Sequence, residues 1–194
     1  FLRDMGITSP IHPVEDFTKP QKEKINVTLI ANPPDIDDSK FDRVVTYLRT
    51  LAPPAQRNAN DPSVKRGNIL FHKIGCANCH TPSLRTGSDA SIDELKNQSI
   101  KPYTDLLLHD MGEDLADGIQ DSLASGSEWR TPPLWGIGLT KTVNGNTFFL
   151  HDGRARSIEE AILWHGGEGS ESRKNYSSLS LDDKVDLLNF INSL

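Results

Sequence analysis

The chain has 194 residues, a mass of 21.5 kDa and a net charge of −6 from 27 acidic and 21 basic side chains. This acidic balance argues against nucleic acid as a partner, and no apolar run approaches the ~18–20 residues of a membrane span. The sequence opens at Phe1 with neither an initiator methionine nor an apolar signal core. We therefore expect that a targeting segment has been removed or that the sequence is part of a longer protein.

The first predicted helix lies close to residues 38–51. Asp38 is placed to cap it, and Phe41, Val44 and Leu48 recur at helical spacing. The pair Pro53–Pro54 ends the element. Before this helix, five prolines within residues 8–37 predict an irregular connection.

A second helix is predicted to start at Asp61–Pro62, a suitable N-cap and first-turn pair, and to end just before Cys76. Its apolar face is formed by Val64, Gly67, Phe71 and Ile74. A glycine inside a helix costs about 1 kcal/mol relative to alanine. Gly67 therefore predicts a point at which another helix crosses closely.

The segment Cys76–His80 reads CANCH, and a C-x-x-C-H motif is typical of covalent haem c attachment. Thiols three residues apart can add to the two vinyl groups of one porphyrin edge, and the next residue can bind the iron from the proximal side. Two cysteines supply only half of a four-ligand zinc site. A thioredoxin-like dithiol would leave His80 without a role. We interpret Cys76, Cys79 and His80 as the haem site, with a redox dithiol and zinc binding as alternatives.

The iron also needs a sixth ligand or an open position. The candidates that follow His80 are His109, Met111, His151 and His165. The tripeptide Asp-Met-Gly occurs twice, around Met5 and around Met111, whereas the residue two before the methionine is Arg3 in one copy and His109 in the other. If the copies are equivalent, methionine is the shared functional group. Met111 is then the predicted ligand and His109 the next candidate, with an open site or another residue as further alternatives.

Several elements are predicted in the remaining sequence. Thr131–Pro133 is a rigid extended segment suited to walling a haem face. Asn144–Gly145 predicts a small β-hairpin. Ser157 begins a capping box for a helix that ends at His165, whose imidazole would favour the negative helix end. Ser180 caps a last helix with one apolar stripe.

The predicted fold is mostly α, a c-type cytochrome domain with long loops and a small β-hairpin, preceded by the back part of another cytochrome-like domain. Residues 42–48 are similar to residues 183–188, in addition to the repeated Asp-Met-Gly. We expect residues 1–60 to be the C-terminal part of a first domain plus a linker. Residues 61–194 would be a complete c-type cytochrome domain with one covalent haem. The attachment motif of the first domain would precede Phe1.

Longer motifs resemble one protein family. The segments PYTDLLLHDMG at 102–112, EWRTPPLWG at 128–136 and HDGRA at 151–155 are similar to matching stretches of the bacterial di-haem oxidoreductases called thiol oxidoreductases. That group is related to the di-haem cytochrome c peroxidases and the MauG-like enzymes. The resemblance runs over nearly the whole chain, including residues 4–7 and 47–53.

The resemblance implies a periplasmic redox protein with two haems, of which one receives electrons and the other meets peroxide or another oxidant. For the haem of this chain it implies anchoring by Cys76 and Cys79, with His80 proximal and Met111 distal. A thioether ligand raises the reduction potential, which suits electron transfer. The implied partners are the missing N-terminal haem domain and a small redox donor protein. Related peroxidases also hold Ca²⁺, although this sequence has no complete EF-hand loop.

Three functions stay open at this point. The chain is the electron-input half of a di-haem peroxidase-like oxidoreductase, a non-enzymatic c-type cytochrome that carries electrons, or a haem-free dithiol or metal-binding protein. Covalent haem c is attached outside the cytoplasm, so the first two predict a periplasmic location.

Overall fold

The computed structural model of the chain describes residues 5–14, 17, 19–24, 33–121 and 123–194. The chain divides into two compact units, residues 1–52 and 53–194. The described part is mostly helical, with seven α-helices and four short strands. None of those helices combines the length and the apolar character that crossing a bilayer requires.

The first unit contains helices α1 (Lys19–Lys24) and α2 (Asp38–Thr50). The predicted irregular connection over 8–37 lies partly outside the described residues, and within it α1 is helical. The cap of α2 is Asp37 rather than Asp38, because the Asp37 carboxylate accepts a hydrogen bond from the Lys40 N–H at 2.9 Å. Asp38 is instead the first helical residue, where its charge favours the positive helix end.

The apolar side of α2 is left largely open. The helix has no buried residue. Tyr47 and Leu48 within it, and Leu51 directly after it, are each more than half exposed. Burial of apolar side chains is the main stabilising force of a packed helix. The packing that this unit makes within itself therefore leaves much of α2 uncovered.

The second unit is built on two crossing helices, α3 (Pro62–Lys73) and α7 (Leu181–Ser193), capped by Asp61 and Ser180 as predicted. Gly67 lies at the crossing. A side chain there would collide with the Asp186 carbonyl oxygen, and its Cβ would lie 2.6 Å from the Cβ of Phe190. The prediction of a close helix crossing at Gly67 is confirmed.

Polar and aromatic contacts hold this crossing together. Arg66 donates two hydrogen bonds to the Asp186 carboxylate, at 2.5 and 3.0 Å, and the Ser63 hydroxyl donates a third at 2.5 Å. On the core side, the ring of Phe71 meets that of Phe190 edge-on, with centroids 5.3 Å apart. Tyr103 packs edge-on against Phe71 at 5.9 Å, so the core extends from the crossing towards residue 103.

Shorter elements complete the second unit. The remaining helices are α4 (Thr140–Asn144), α5 (Ile158–Leu163) and α6 (Ser170–Ser177). Two antiparallel strand pairs are present, β1 (Leu84–Arg85) with β2 (Ser99–Ile100) and β3 (Leu108–Asp110) with β4 (Glu128–Arg130). In the second pair, His109 lies opposite Trp129.

The predicted hairpin at Asn144–Gly145 is wrong. Asn144 is the last residue of α4, and Gly145 ends that helix with φ +75° while its N–H donates to the Lys141 carbonyl oxygen at 2.9 Å. A left-handed glycine serves a helix C-terminus as well as a hairpin turn, so the Asn-Gly pair alone is ambiguous. The small antiparallel pairs of this fold lie elsewhere, in β1–β2 and β3–β4.

Candidate functional site

The C-x-x-C-H segment follows α3 directly. Gly75 turns the chain with φ +94°, a left-handed conformation that glycine adopts without strain, and Cys76–Asn78 then forms one 3₁₀ turn. The His80 N–H closes the turn on the Cys76 carbonyl oxygen at 2.9 Å. This compact turn brings Cys76, Cys79 and His80 to the wall of one cavity.

The cavity has a volume of about 490 Å³, within the range of small-molecule and cofactor sites. Much of its wall is apolar, including Leu115, Leu134, Ile137, Ile158 and Ile162. Thr131–Pro133 lines it as well, in the walling position that the sequence predicts. Cys76, Cys79, His80 and Met111 all lie on this same cavity. The predicted site residues are therefore brought together.

His80 is held in one tautomer. Its Nδ1 lies 3.0 Å from the Tyr103 carbonyl oxygen. A carbonyl oxygen only accepts, so Nδ1 carries the proton and the Nε2 lone pair stays available to a metal. Burial lowers the pKa of His80 to about 4, which keeps the ring neutral at physiological pH. A neutral imidazole with its second nitrogen bound to a carbonyl is the usual state of a ligating histidine.

The carbonyl that orients His80 is itself fixed by the backbone. Tyr103 has φ +55°, an uncommon conformation for an aromatic residue. On its far side, the Thr104 N–H donates to the Thr81 carbonyl oxygen at 3.1 Å, and the Asp105 N–H donates to that of Cys79 at 2.9 Å. The segment around 103–105 therefore lies along the C-x-x-C-H turn and supports it.

The two thiols are protonated and unpaired. Burial raises the pKa of Cys76 to about 12, and burial with the nearby Asp105 and Glu168 carboxylates raises that of Cys79. Both cysteines are free. Dithiol exchange requires a thiolate of lowered pKa. The surroundings of Cys76 and Cys79 therefore disfavour the redox-dithiol alternative.

His109 lies between two carboxylates. Its Nε2 is 2.9 Å from Asp105 Oδ2, and its Nδ1 is 2.8 Å from Glu168 Oε2. Hydrogen bonds to Glu168 and Asp105 raise the pKa of His109. With a proton on each ring nitrogen, the imidazolium has no lone pair for iron. His109 therefore bridges Asp105 and Glu168 in this structure.

The same histidine takes part in a cluster of candidate metal ligands. Among the described residues, one such group of three is found, Cys79, Asp105 and His109. Three ligands, one of them a protonated thiol, do not make a closed structural zinc site. The group also lacks the six to eight oxygens that Ca²⁺ prefers, and the predicted Ca²⁺ finds no support.

Met111 lies where two segments meet backbone against backbone. Its N–H donates to the Ser127 carbonyl oxygen at 2.9 Å. A Cβ on Gly166 would lie 2.6 Å from the Met111 carbonyl oxygen, so a side chain at this position would collide with the backbone of Met111. Glu168 also links the two segments, because its Oε1 accepts a hydrogen bond from the Asp110 N–H at 3.0 Å. These contacts place residues 110–112 beside residues 165–169 at the cavity.

His165 occupies a place that its sequence context does not indicate. It follows α5, whose Ser157 cap is confirmed by a hydrogen bond from the Glu160 N–H at 3.0 Å. Its Nδ1 lies 2.7 Å from the Ala161 carbonyl oxygen, and its ring lines the cavity. The ring centroid is 6.5 Å from that of His80. The sequence predicts that His165 stabilises the end of a helix, and it does not predict that the ring lies beside His80 on the cavity wall.

Two aromatic rings stack at another part of the wall. Trp129 and His151 both line the cavity, and their rings are nearly parallel, at 12°, with centroids 3.6 Å apart. The Trp129 Nε1–H donates to the Leu115 carbonyl oxygen at 3.0 Å. His151 therefore packs on Trp129 through its ring face.

A mostly helical unit whose first and last helices cross beside a cavity lined by two thiols and a neutral imidazole has the features of a cytochrome-like redox domain. A family profile described as "Di-haem oxidoreductase, putative peroxidase" matches residues 4–194. The chain belongs to this di-haem oxidoreductase family, which confirms the resemblance seen in the sequence. Family membership implies a haem cofactor and a haem-based redox function.

Further comparisons concern the fold. A search of curated protein sequences gives no match. Among solved structures, a chain of hydrazine synthase from Kuenenia stuttgartiensis, pressurized with 20 bar xenon, is similar with a TM-score of 0.51 and 20% sequence identity. The similarity covers 85% of this chain and 58% of that chain. The protein described here thus spans little more than half the length of that structural relative.

Proposed function

We propose that this chain is the haem c-binding electron-transfer part of a periplasmic di-haem oxidoreductase with peroxidase-like activity. The observation that carries the proposal is the arrangement of His80, whose Nε2 is left free by the Tyr103 carbonyl, with Cys76 and Cys79 on the same apolar cavity. Membership of the di-haem oxidoreductase family supports it.

The residues of the site have separate roles. Cys76 and Cys79 would hold the haem through thioethers, and His80 would bind its iron. The haem, when bound, supplies reversible one-electron chemistry at iron. The Tyr103 carbonyl orients His80 and increases its basicity as a ligand. Met111, the distal ligand predicted from the sequence, lies on the same cavity wall.

Binding of the iron by a second residue of this chain, in addition to His80, would explain why electron transfer is proposed for this haem. Peroxide cleavage requires a vacant position, whereas a six-coordinate iron exchanges electrons without binding substrate. Leu115, Leu134 and Ile162 give the site an apolar wall. Electrons received by this haem would pass to a second haem outside this sequence. The second haem would bind and reduce the oxidant.

The first unit is proposed to be the C-terminal part of the domain that holds the second haem. Support comes from helix α2, whose exposed Tyr47 and Leu48 are suited to packing against the rest of such a domain. The partners of the chain are then this N-terminal haem domain and a small redox donor protein.

The proposal is tested by producing the chain together with the haem c attachment machinery and staining a denaturing gel for haem. We expect haem to remain on the chain, and to be lost when both Cys76 and Cys79 are replaced by alanine. Unstained wild-type protein would contradict the proposal and favour a haem-free protein. In the full-length protein, reduced donor and peroxide should give turnover, whereas haem without turnover under any donor would indicate an electron carrier.

A further inference from the structure

We infer that His165 supplies the second axial ligand, so that the iron is bound by the imidazoles of His80 and His165. The inference rests on the proposed function, because it concerns the same haem. It differs from the prediction of Met111 made from the sequence.

The separation of the two rings carries the inference. The centroids of His80 and His165 are 6.5 Å apart, with an angle of 49° between the ring planes. Metal–nitrogen bonds of about 2.0–2.1 Å, added to the distance from each nitrogen to its ring centre, place two opposed imidazoles roughly 6.4 Å apart. The observed spacing of 6.5 Å therefore matches that of two imidazoles bound to one metal ion.

The hydrogen bonds of the two histidines are matched. His165 Nδ1 lies 2.7 Å from the Ala161 carbonyl oxygen, as His80 Nδ1 lies 3.0 Å from that of Tyr103. Each carbonyl fixes the proton on Nδ1 and leaves the Nε2 lone pair for a metal. Both rings line the same cavity, which is where such a metal would lie.

Gly169 leaves the space that the ring of His165 occupies. A Cβ on Gly169 would lie 3.1 Å from His165 Cβ and 3.2 Å from His165 Cδ2. The same position would be 3.3 Å from the Met111 methyl carbon. The absence of a side chain at Gly169 thus leaves room at the cavity for both the His165 ring and the Met111 methyl group.

The two other histidine candidates have partners elsewhere. His109 has a carboxylate on each ring nitrogen, from Asp105 and Glu168. His151 stacks face to face on Trp129. Of the three histidine candidates that follow His80, His165 is the one whose ring lies against that of His80 in the described part of the chain, and a carbonyl oxygen fixes its tautomer.

The test compares variants of the haem-loaded chain by absorption, electron paramagnetic resonance and near-infrared magnetic circular dichroism. The wild-type ferric protein should be low-spin, without the weak far-red band of sulfur–iron ligation. His165→Ala should become high-spin and return to low-spin on addition of imidazole. Met111→Leu should leave the low-spin spectrum unchanged, and His151→Ala controls for loss of a histidine from the cavity wall.

The outcomes separate the inference from the proposed function. A wild-type far-red band that disappears in Met111→Leu would overturn the inference and leave the haem proposal standing. High-spin wild-type protein would also overturn it. Absence of covalent haem would overturn both. If His165→Ala fails to fold, His165→Met decides instead, since replacing imidazole by thioether should introduce the far-red band and raise the reduction potential.

Discussion

At the scale of single residues, the site depends on which ring nitrogen of each histidine carries a proton. Backbone carbonyls fix the Nδ1 proton in His80 and His165, whereas two carboxylates hold His109 as a cation. Of the four histidines that line the cavity, His80 and His165 have a carbonyl partner that leaves the Nε2 lone pair available, whereas both ring nitrogens of His109 face carboxylates. The hydrogen-bond partner of each histidine therefore decides whether a ring nitrogen is available to a metal.

A prediction at this scale concerns the attachment residues. Replacing Cys76 and Cys79 together by alanine should abolish covalent haem, because both thioethers are lost. Asn78→Ala, a change between the two cysteines, is the matched control and should retain covalent haem. Haem staining after denaturing electrophoresis measures both. Loss of haem in Asn78→Ala equal to that in the double variant would contradict the assignment of the thiols.

At the scale of elements, the α3–α7 crossing depends on the absence of a side chain at Gly67. Gly67→Ala should lower the free energy of unfolding by about 1–3 kcal/mol, although alanine favours a helix by about 1 kcal/mol. The added methyl meets backbone at Asp186, which cannot yield locally. Asn68→Ala, an exposed neighbour on α3, should change stability by less than about 0.5 kcal/mol in the same urea titration. A stabilised Gly67→Ala protein would contradict the close crossing.

The hydrogen bonds from Arg66 and Ser63 to Asp186 at the same crossing should make the stability of the protein depend on pH. These hydrogen bonds lower the pKa of Asp186. The contribution of Asp186 to the free energy of unfolding is therefore complete above the unfolded-state pKa. It is lost as the pH falls through the lower, folded-state pKa. Asp186→Asn should therefore be less stable than wild type at neutral pH.

The difference between Asp186→Asn and wild type should shrink on acidification below about pH 4. Urea unfolding across pH measures it. The control is Asp93→Asn, which removes an exposed partner of Lys96 and should have little effect at any pH. A difference for Asp186→Asn that stays constant down to strongly acidic pH would contradict the account.

Local sequence patterns predict the helix ends and turns well. Contacts between residues that are distant in the sequence cannot be predicted from such patterns. The caps Asp61 and Ser180, the glycine at the crossing and the C-x-x-C-H turn all follow from neighbouring residues. The hairpin at Asn144–Gly145 fails because the same pair can end a helix. The site at His165 depends on partners about 85 residues away and on backbone contacts through Gly166, which no local pattern records.

At the scale of the whole molecule, the chain contains one cavity proposed as a haem site and a unit whose helix α2 leaves apolar residues exposed. We expect the full-length protein to bind two haems and this chain to bind one. Haem content per polypeptide, measured by pyridine haemochrome absorption on each, checks this. A full-length protein with a single haem would contradict the proposed first domain while leaving the site at Cys76–His80 untouched.

The most direct test of the central claim is the intact mass of the chain purified after production with the haem c attachment machinery. We predict a mass increased by one haem, and this increase should persist after denaturation because thioethers to Cys76 and Cys79 would hold the haem. An unmodified mass, with both thiols still open to alkylation, would contradict the assignment of this cavity as a haem c site.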